Sequence, residues 1–218
     1  MSQIIAIIDY GSGNLRSAQK AIQKAAISLD EPVQVLITNN PEIIKKANRI
    51  VLPGVGAFAD CREGLFAISG MTETLNQRVK QDNVPFLGIC VGMQLMATSG
   101  FEKGMHEGLG WIEGEVKAIR VNDKSLKIPH MGWNTLSVNN QHPLLKNIKL
   151  GKDGLHAYFV HSYQMEVKNR NDLLLTSDYG GEITAMVGKD NIVGVQFHPE
   201  KSQKLGISFL ENFLRWKL

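Results

Sequence analysis

The chain has 218 residues, of which 43% are apolar and 21% charged, with a formal net charge of +3. This fits one large or two small globular domains whose core needs no covalent staples. The Lys and Arg residues are spread along the chain and form no basic run, which excludes a phosphate-tracking surface and a nucleic-acid partner.

The N-terminus carries no positive charge before its short apolar run, so it does not read as a signal peptide. No apolar stretch approaches the ~20 residues that a membrane span requires. A cytoplasmic location is therefore expected. Residues 3–8 (Gln-Ile-Ile-Ala-Ile-Ile) read as a buried strand, short and β-branched. The turn from Asp9 to Asn14 leads into a helix over 15–28, with Leu15, Ala18, Ala21, Ile22 and Ala25 on one side. Val33–Ile37 is a second strand, and Pro41 opens a short helix, where its missing N–H costs nothing. Arg49–Leu52 is a third strand, ending at Pro53-Gly54-Val55-Gly56. Helical patterns fill much of 57–82. Pro85–Ile89 is a fourth strand running directly into Cys90. This alternation predicts a parallel sheet covered on both faces. Over 111–138 and 155–197 short strands follow with few helices between them, so some antiparallel pairing is expected. A helix over 202–216 buries Leu205, Phe209, Phe213 and Trp216 as core. No linker or repeat divides the chain, so a single domain over 1–218 is expected.

Gly88-Ile89-Cys90-Val91-Gly92 joins a buried strand to a helix that starts near Val91. This is the cysteine form of a nucleophile elbow. The turn strains the nucleophile's backbone, and glycines on both sides remove clashing side chains. It also sets Cys90 at a helix N-terminus, where thiolate is favoured, and leaves the Val91 N–H free for an oxyanion. The alternative is a small buried cysteine at a glycine-containing strand end. Cys61 sits in a helical stretch without such context and reads as packing. The two cysteines have neither metal-ligand nor redox spacing.

A nucleophile needs a base. Val193–Phe197 reads as an apolar strand ending in His198, with Glu200 two positions on. In an extended chain those side chains point the same way, so Glu200 can fix the His198 tautomer while His198 faces Cys90. An ordinary surface pair is the alternative. His156 and His161 would face opposite sides of one strand, while His106, His130 and His142 lie scattered, so no metal is expected. Gly11-Ser12-Gly13-Asn14-Leu15-Arg16 lacks the third glycine of a dinucleotide fingerprint, and no acid closes the second strand, so no cofactor is expected. Pro53–Gly56 ends on the same rim as Cys90 and is placed to supply a second oxyanion donor, or to be a plain turn.

Three segments together resemble the class I (triad) glutamine amidotransferases: Pro53–Phe58, Gly88–Gln94 and Gln196–Glu200. The fold which that resemblance implies is a flavodoxin-like three-layer α/β sandwich, with a mostly parallel central sheet and some antiparallel strands in the C-terminal half. The segments Asp9–Asn14, Pro129–Asn134 and Tyr158–Tyr163 narrow the resemblance to glutaminase subunits of imidazole glycerol phosphate synthases. It implies Cys90, His198 and Glu200 as the triad, and Val55 and Val91 as the oxyanion hole. Gly54, Gln94, Ser162 and Tyr163 would contact glutamine. Asn14, Met131, Trp133 and Tyr158 would face a cyclase subunit in a heterodimer, with Trp133 in the core as the alternative. A paralogue feeding ammonia to another acceptor enzyme would share these motifs. A stand-alone cysteine hydrolase is disfavoured by Gln94 and the 129–134 segment, and a dead regulatory subunit by the intact Cys90, His198 and Glu200.

Overall fold

The computed structural model describes residues 2–121, 123 and 125–218. The elements of the first half follow the alternation in the sequence. β1 (Gln3–Ile8), α1 (Leu15–Ala26), β2 (Val33–Thr38), α2 (Pro41–Ile44), β3 (Arg49–Gly54), α3 (Phe58–Phe66), α4 (Met71–Leu75), β4 (Phe86–Cys90) and α5 (Val91–Gln94) come in that order. A π-helical turn, Asn76–Gln81, continues α4. Then come β5 (Ser99–Gly100), β6 (His106–Glu107), β7 (Gly114–Ala118), β8 (His130–Asn134), β9 (Ser137–Val138), β10 (Ala157–His161), β11 (Tyr163–Val167), β12 (Leu173–Asp178), β13 (Glu182–Lys189), β14 (Ile192–Val195) and α6 (Gln203–Arg215). The short strands expected over 111–138 are β7, β8 and β9; positions 122 and 124 of that stretch, like Met1 at the N-terminus, lie outside the described residues.

The main sheet has the order β2-β1-β3-β4-β14-β13-β12-β9. Pairing is parallel from β2 to β14 and antiparallel from β14 to β9. β3, β4 and β14 are buried at every position, which is why, Arg49 apart, their sequences are continuous apolar runs, whereas the edge strand β2 is only partly buried. The order β2-β1-β3-β4 is that of a doubly wound sheet, and its ligand crevice lies beyond the carboxyl ends of the strands. Cys90 ends β4 on that rim, and Ser12, Val55 and His198 follow the ends of β1, β3 and β14. Two smaller sheets, β10-β8 and β11-β7-β5-β6, complete the structure.

α1 buries Ala18, Ala21, Ile22 and Ala25, and α6 buries Leu205, Phe209 and Phe213. Trp216 lies just beyond the end of α6 and is still buried. The buried Arg49 donates from Nε to the Phe213 carbonyl (2.9 Å) and from Nη2 to the Trp216 carbonyl (2.7 Å), satisfying main-chain acceptors at that helix end. Two expectations change. The last strand ends at Val195, and His198 instead precedes a 3-10 turn, Pro199–Lys201. The helix after Cys90 is a single turn, so its dipole contributes less than a long helix would.

Candidate active site

Cys90 closes β4 with φ 55 and ψ −113, a conformation that L side chains adopt rarely. The backbone around it is packed too tightly for other residues. A Cβ on Gly92 would stand 1.8 Å from the Leu52 carbonyl oxygen, and one on Gly88 2.6 Å from the Gly92 oxygen. The chain can make this turn at Cys90 only with glycine at both flanks. The N–H of Val91 opens α5, so it has no partner four residues earlier within the helix.

Cys90 and His198 line one cavity of about 300 Å³, with Val55, Val91, Gln94, Ser162 and Tyr163 also in its wall. Gly54 is absent from that wall. It pairs in register with Cys90, and its Cα faces the Tyr10 hydroxyl and the Gly92 nitrogen so closely that no side chain fits. Glu102 also lines the cavity and accepts the Phe58 N–H on Oε2 at 2.7 Å. No motif in the sequence marks this residue; it is one acid in the β5–β6 loop, and only the fold brings it here.

His198 Nδ1–H donates to Glu200 Oε1 at 2.8 Å, with both side chains 3% exposed. The two meet because the 3-10 turn folds Glu200 back, which differs from the same-face geometry expected of an extended chain. His198 Nε2 has no hydrogen-bond partner. Burial alone would lower the His198 pKa, but the Cys90 thiol and the Glu200 carboxylate outweigh it and hold the pKa up at about 10. The ring of His198 is thus held as imidazolium at neutral pH.

Val55 is turned elsewhere. Its N–H donates to Ser12 Oγ at 3.1 Å, and the Ser12 hydroxyl donates to the Val55 carbonyl at 2.6 Å. Cys61, expected to be simple packing, is buried and also reaches this carbonyl through Sγ at 3.3 Å.

The histidines are less scattered than their spacing suggests. His161 Nδ1 donates to the Tyr163 carbonyl (2.8 Å), so its Nε2 accepts from His130 Nδ1 (3.0 Å). The His161 ring is therefore neutral. Burial drives each pKa down to about 4. A folded-state pKa below the ordinary 6.5 gives stability that is complete above pH 6.5 and is lost as pH falls towards about 4. We expect Tm to drop by at least ~5 °C from pH 7 to pH 5 in calorimetry. A flat Tm over that range would show that both rings are solvated. Among the described residues no group of three or more His, Cys, Asp or Glu side chains is placed to hold a metal ion, and no helix is long and apolar enough to cross a membrane.

Met131 and Trp133 are 61% and 57% exposed, so Trp133 is not core. Trp133 meets Tyr158 edge to face at 5.0 Å, and Asn14 is exposed at the start of α1. The Tyr158 backbone leads inward: its carbonyl accepts the His198 N–H at 2.9 Å. Ser202 Oγ accepts the Tyr158 N–H at 2.9 Å and donates to the His198 carbonyl at 2.6 Å.

A family model described as glutamine amidotransferase class-I matches residues 6–216. The chain is 57% identical over 213 residues (98% of this chain, 99% of the relative) to imidazole glycerol phosphate synthase subunit HisH of Brucella melitensis. It is 54% identical, with the same coverage, to the subunit HisH of Rhodopseudomonas palustris. Among solved structures, one of a glutamine amidotransferase superposes with a TM-score of 0.69 at 16% identity, covering 96% of this chain and 98% of that one. A glutamine amidotransferase of Thermotoga maritima gives 0.63 at 15%, covering 99% and 84%. At those identities the structural matches establish the fold.

Proposed function

The chain belongs to the class-I glutamine amidotransferases, and on that premise we propose that it is the glutaminase subunit of an imidazole glycerol phosphate synthase. In this reading residues 1–218 act as one domain in the cytoplasm. The domain hydrolyses glutamine and passes the ammonia to a cyclase subunit. That subunit makes imidazole glycerol phosphate and aminoimidazole carboxamide ribonucleotide for histidine biosynthesis. The observation that carries the glutaminase chemistry is the cavity shared by Cys90 and His198, whose free Nε2 faces reaction space while Nδ1 is held by Glu200. The near full-length identity to HisH subunits supports the acceptor.

The steps follow from these groups. Cys90 Sγ attacks the glutamine Cδ, and the oxyanion forms against the Val91 N–H and, once its peptide turns, the Val55 N–H. His198 Nε2–H gives its proton to the departing nitrogen, and ammonia leaves. Water then attacks the γ-glutamyl thioester, His198 takes its proton, and glutamate and the thiolate are released. Gln94, Ser162 and Tyr163 hold the substrate. Glu102, a carboxylate in the cavity wall, suits the α-ammonium group of glutamine. Ammonia released into water at neutral pH is mostly protonated and no longer nucleophilic, so a docked acceptor belongs to the logic. The exposed Met131 and Trp133, with the half-buried Tyr158 beside them, fit a buried contact with it.

The test supplies glutamine labelled with ¹⁵N in the side-chain amide to the chain together with a cyclase subunit and its ribulosyl-formimino nucleotide. Label in the imidazole ring, undiluted by unlabelled ammonium in the buffer, is the expected result. Glutamate formation with no label in the product would leave a glutaminase serving a different acceptor or none.

A further inference from the structure

Cys90 Sγ has a polar neighbour that the mechanism above does not use. Gln196, wholly buried just after β14, is fixed through its N–H to the Ala185 carbonyl at 2.9 Å. Its Nε2 lies 3.6 Å from Cys90 Sγ, and its Oε1 accepts from Gln94 Nε2 at 3.0 Å. A carboxamide can be reversed without changing shape, so something must decide which end meets the sulfur. Gln94 Nε2 also lies 3.1 Å from the Tyr163 carbonyl, and a carbonyl only accepts. That turns the Gln94 nitrogen towards Tyr163 and Gln196, turns the Gln196 oxygen towards Gln94, and leaves the Gln196 nitrogen for the sulfur. One main-chain carbonyl thereby polarises two buried side chains.

We propose that Gln196 is a positioning residue for the nucleophile: its carboxamide N–H holds Cys90 Sγ, stabilises the anionic sulfur and aims it into the cavity. The inference rests on Cys90 being the nucleophile. Hydrogen bonds to charged groups are stronger than neutral ones, and a donor left unpaired in the interior would be costly. When sulfur bonds to the glutamine Cδ it loses its charge and the bond weakens. When water attacks the thioester, the C–S electron pair returns to sulfur, His198 holds the proton from water, and the Gln196 N–H again meets an anion. The residue therefore assists the expulsion of thiolate as well as its resting position.

Two substitutions separate this from a packing role. Gln196→Met keeps the volume and removes the donor; Gln196→Glu keeps the shape and puts oxygen where nitrogen was. Both are assayed as full chains with the cyclase subunit and its nucleotide, beside Cys90→Ala. Their folding is followed by Tm, and Cys90 alkylation by iodoacetamide is followed by peptide mass. We expect kcat to fall by about 10- to 100-fold in Gln196→Met at nearly unchanged KM, with alkylation slowed in parallel, and further in Gln196→Glu. A folded Gln196→Met with unaltered kcat and alkylation overturns the proposal, as does a loss carried by KM alone. If Gln196→Met does not fold, Gln196→Glu alone decides by the same readings. Glutamine hydrolysis surviving in Cys90→Ala would instead remove the nucleophile reading beneath it.

Discussion

Cys90→Ala is expected to lower glutamine turnover by a factor on the order of 10⁴–10⁶, the usual consequence of removing a nucleophile that works as a unit with its base. Cys61→Ser should leave the partner-stimulated rate nearly intact, because a hydroxyl at that site still donates to the Val55 carbonyl. His198→Ala should match the loss at Cys90, since in the proposed mechanism its Nε2 moves protons in both half-reactions. Glu200→Gln should be milder: an amide oxygen can still accept the Nδ1–H, so the tautomer survives and only the charge is lost. Steady-state glutamate release, with labelling of Cys90 by a diazo-oxo-norleucine type electrophile, checks the series. An active Cys90→Ala chain, or Glu200→Gln worse than His198→Ala in single turnover, contradicts the assigned roles.

The second large effect concerns the Val55 peptide. With its N–H on Ser12, the proposed oxyanion would have one donor at Val91 and lack the other. One missing donor costs on the order of 10²–10³ in turnover. The isolated chain is therefore expected to be a poor glutaminase, and cyclase with bound nucleotide to raise the rate by about that factor. That N–H turns through ψ of Gly54 and φ of Val55, and Gly54 carries no side chain to resist the rotation. Ser12→Ala removes both bonds to Val55 at once and should raise the unstimulated rate by ~5- to 10-fold while leaving the stimulated rate alone. Glutamate production is measured for the chain alone, with cyclase, and with cyclase plus nucleotide. Equal rates in all three would mean a constitutive enzyme, and an unchanged basal rate in Ser12→Ala would mean that Ser12 does not restrain the peptide.

The strands were legible where burial dictates composition. β1, β3 and β4 are runs that only a covered parallel sheet tolerates, and the glycines around Cys90 declare a backbone with no room for side chains. Short-range rules failed where the chain turns without a repeating pattern. The contact of His198 with Glu200 was foreseen, but for the wrong reason: alternation along a strand cannot anticipate a 3-10 turn. Contacts made by distant segments were not legible at all. His130 and His161 meet because β8 and β10 pair antiparallel, which puts the two residues opposite each other. Glu102, Ser12 and Gln196 reach their partners across separate loops, with no periodicity to announce them.

The ring of bonds joining Tyr158, His198 and Ser202 can be followed through solvent exchange. The amide hydrogens of Tyr158 and His198 can trade with deuterium only when β10 lifts away from the turn that follows β14. Tyr158, half-buried in that same strand, meets the exposed Trp133 edge to face, so a subunit seated against the pair would suppress the lifting. Uptake at these two amides would slow in the assembled enzyme. It would then serve as a clock for docking, read from the main chain beside His198 and independent of whether any glutamine is present.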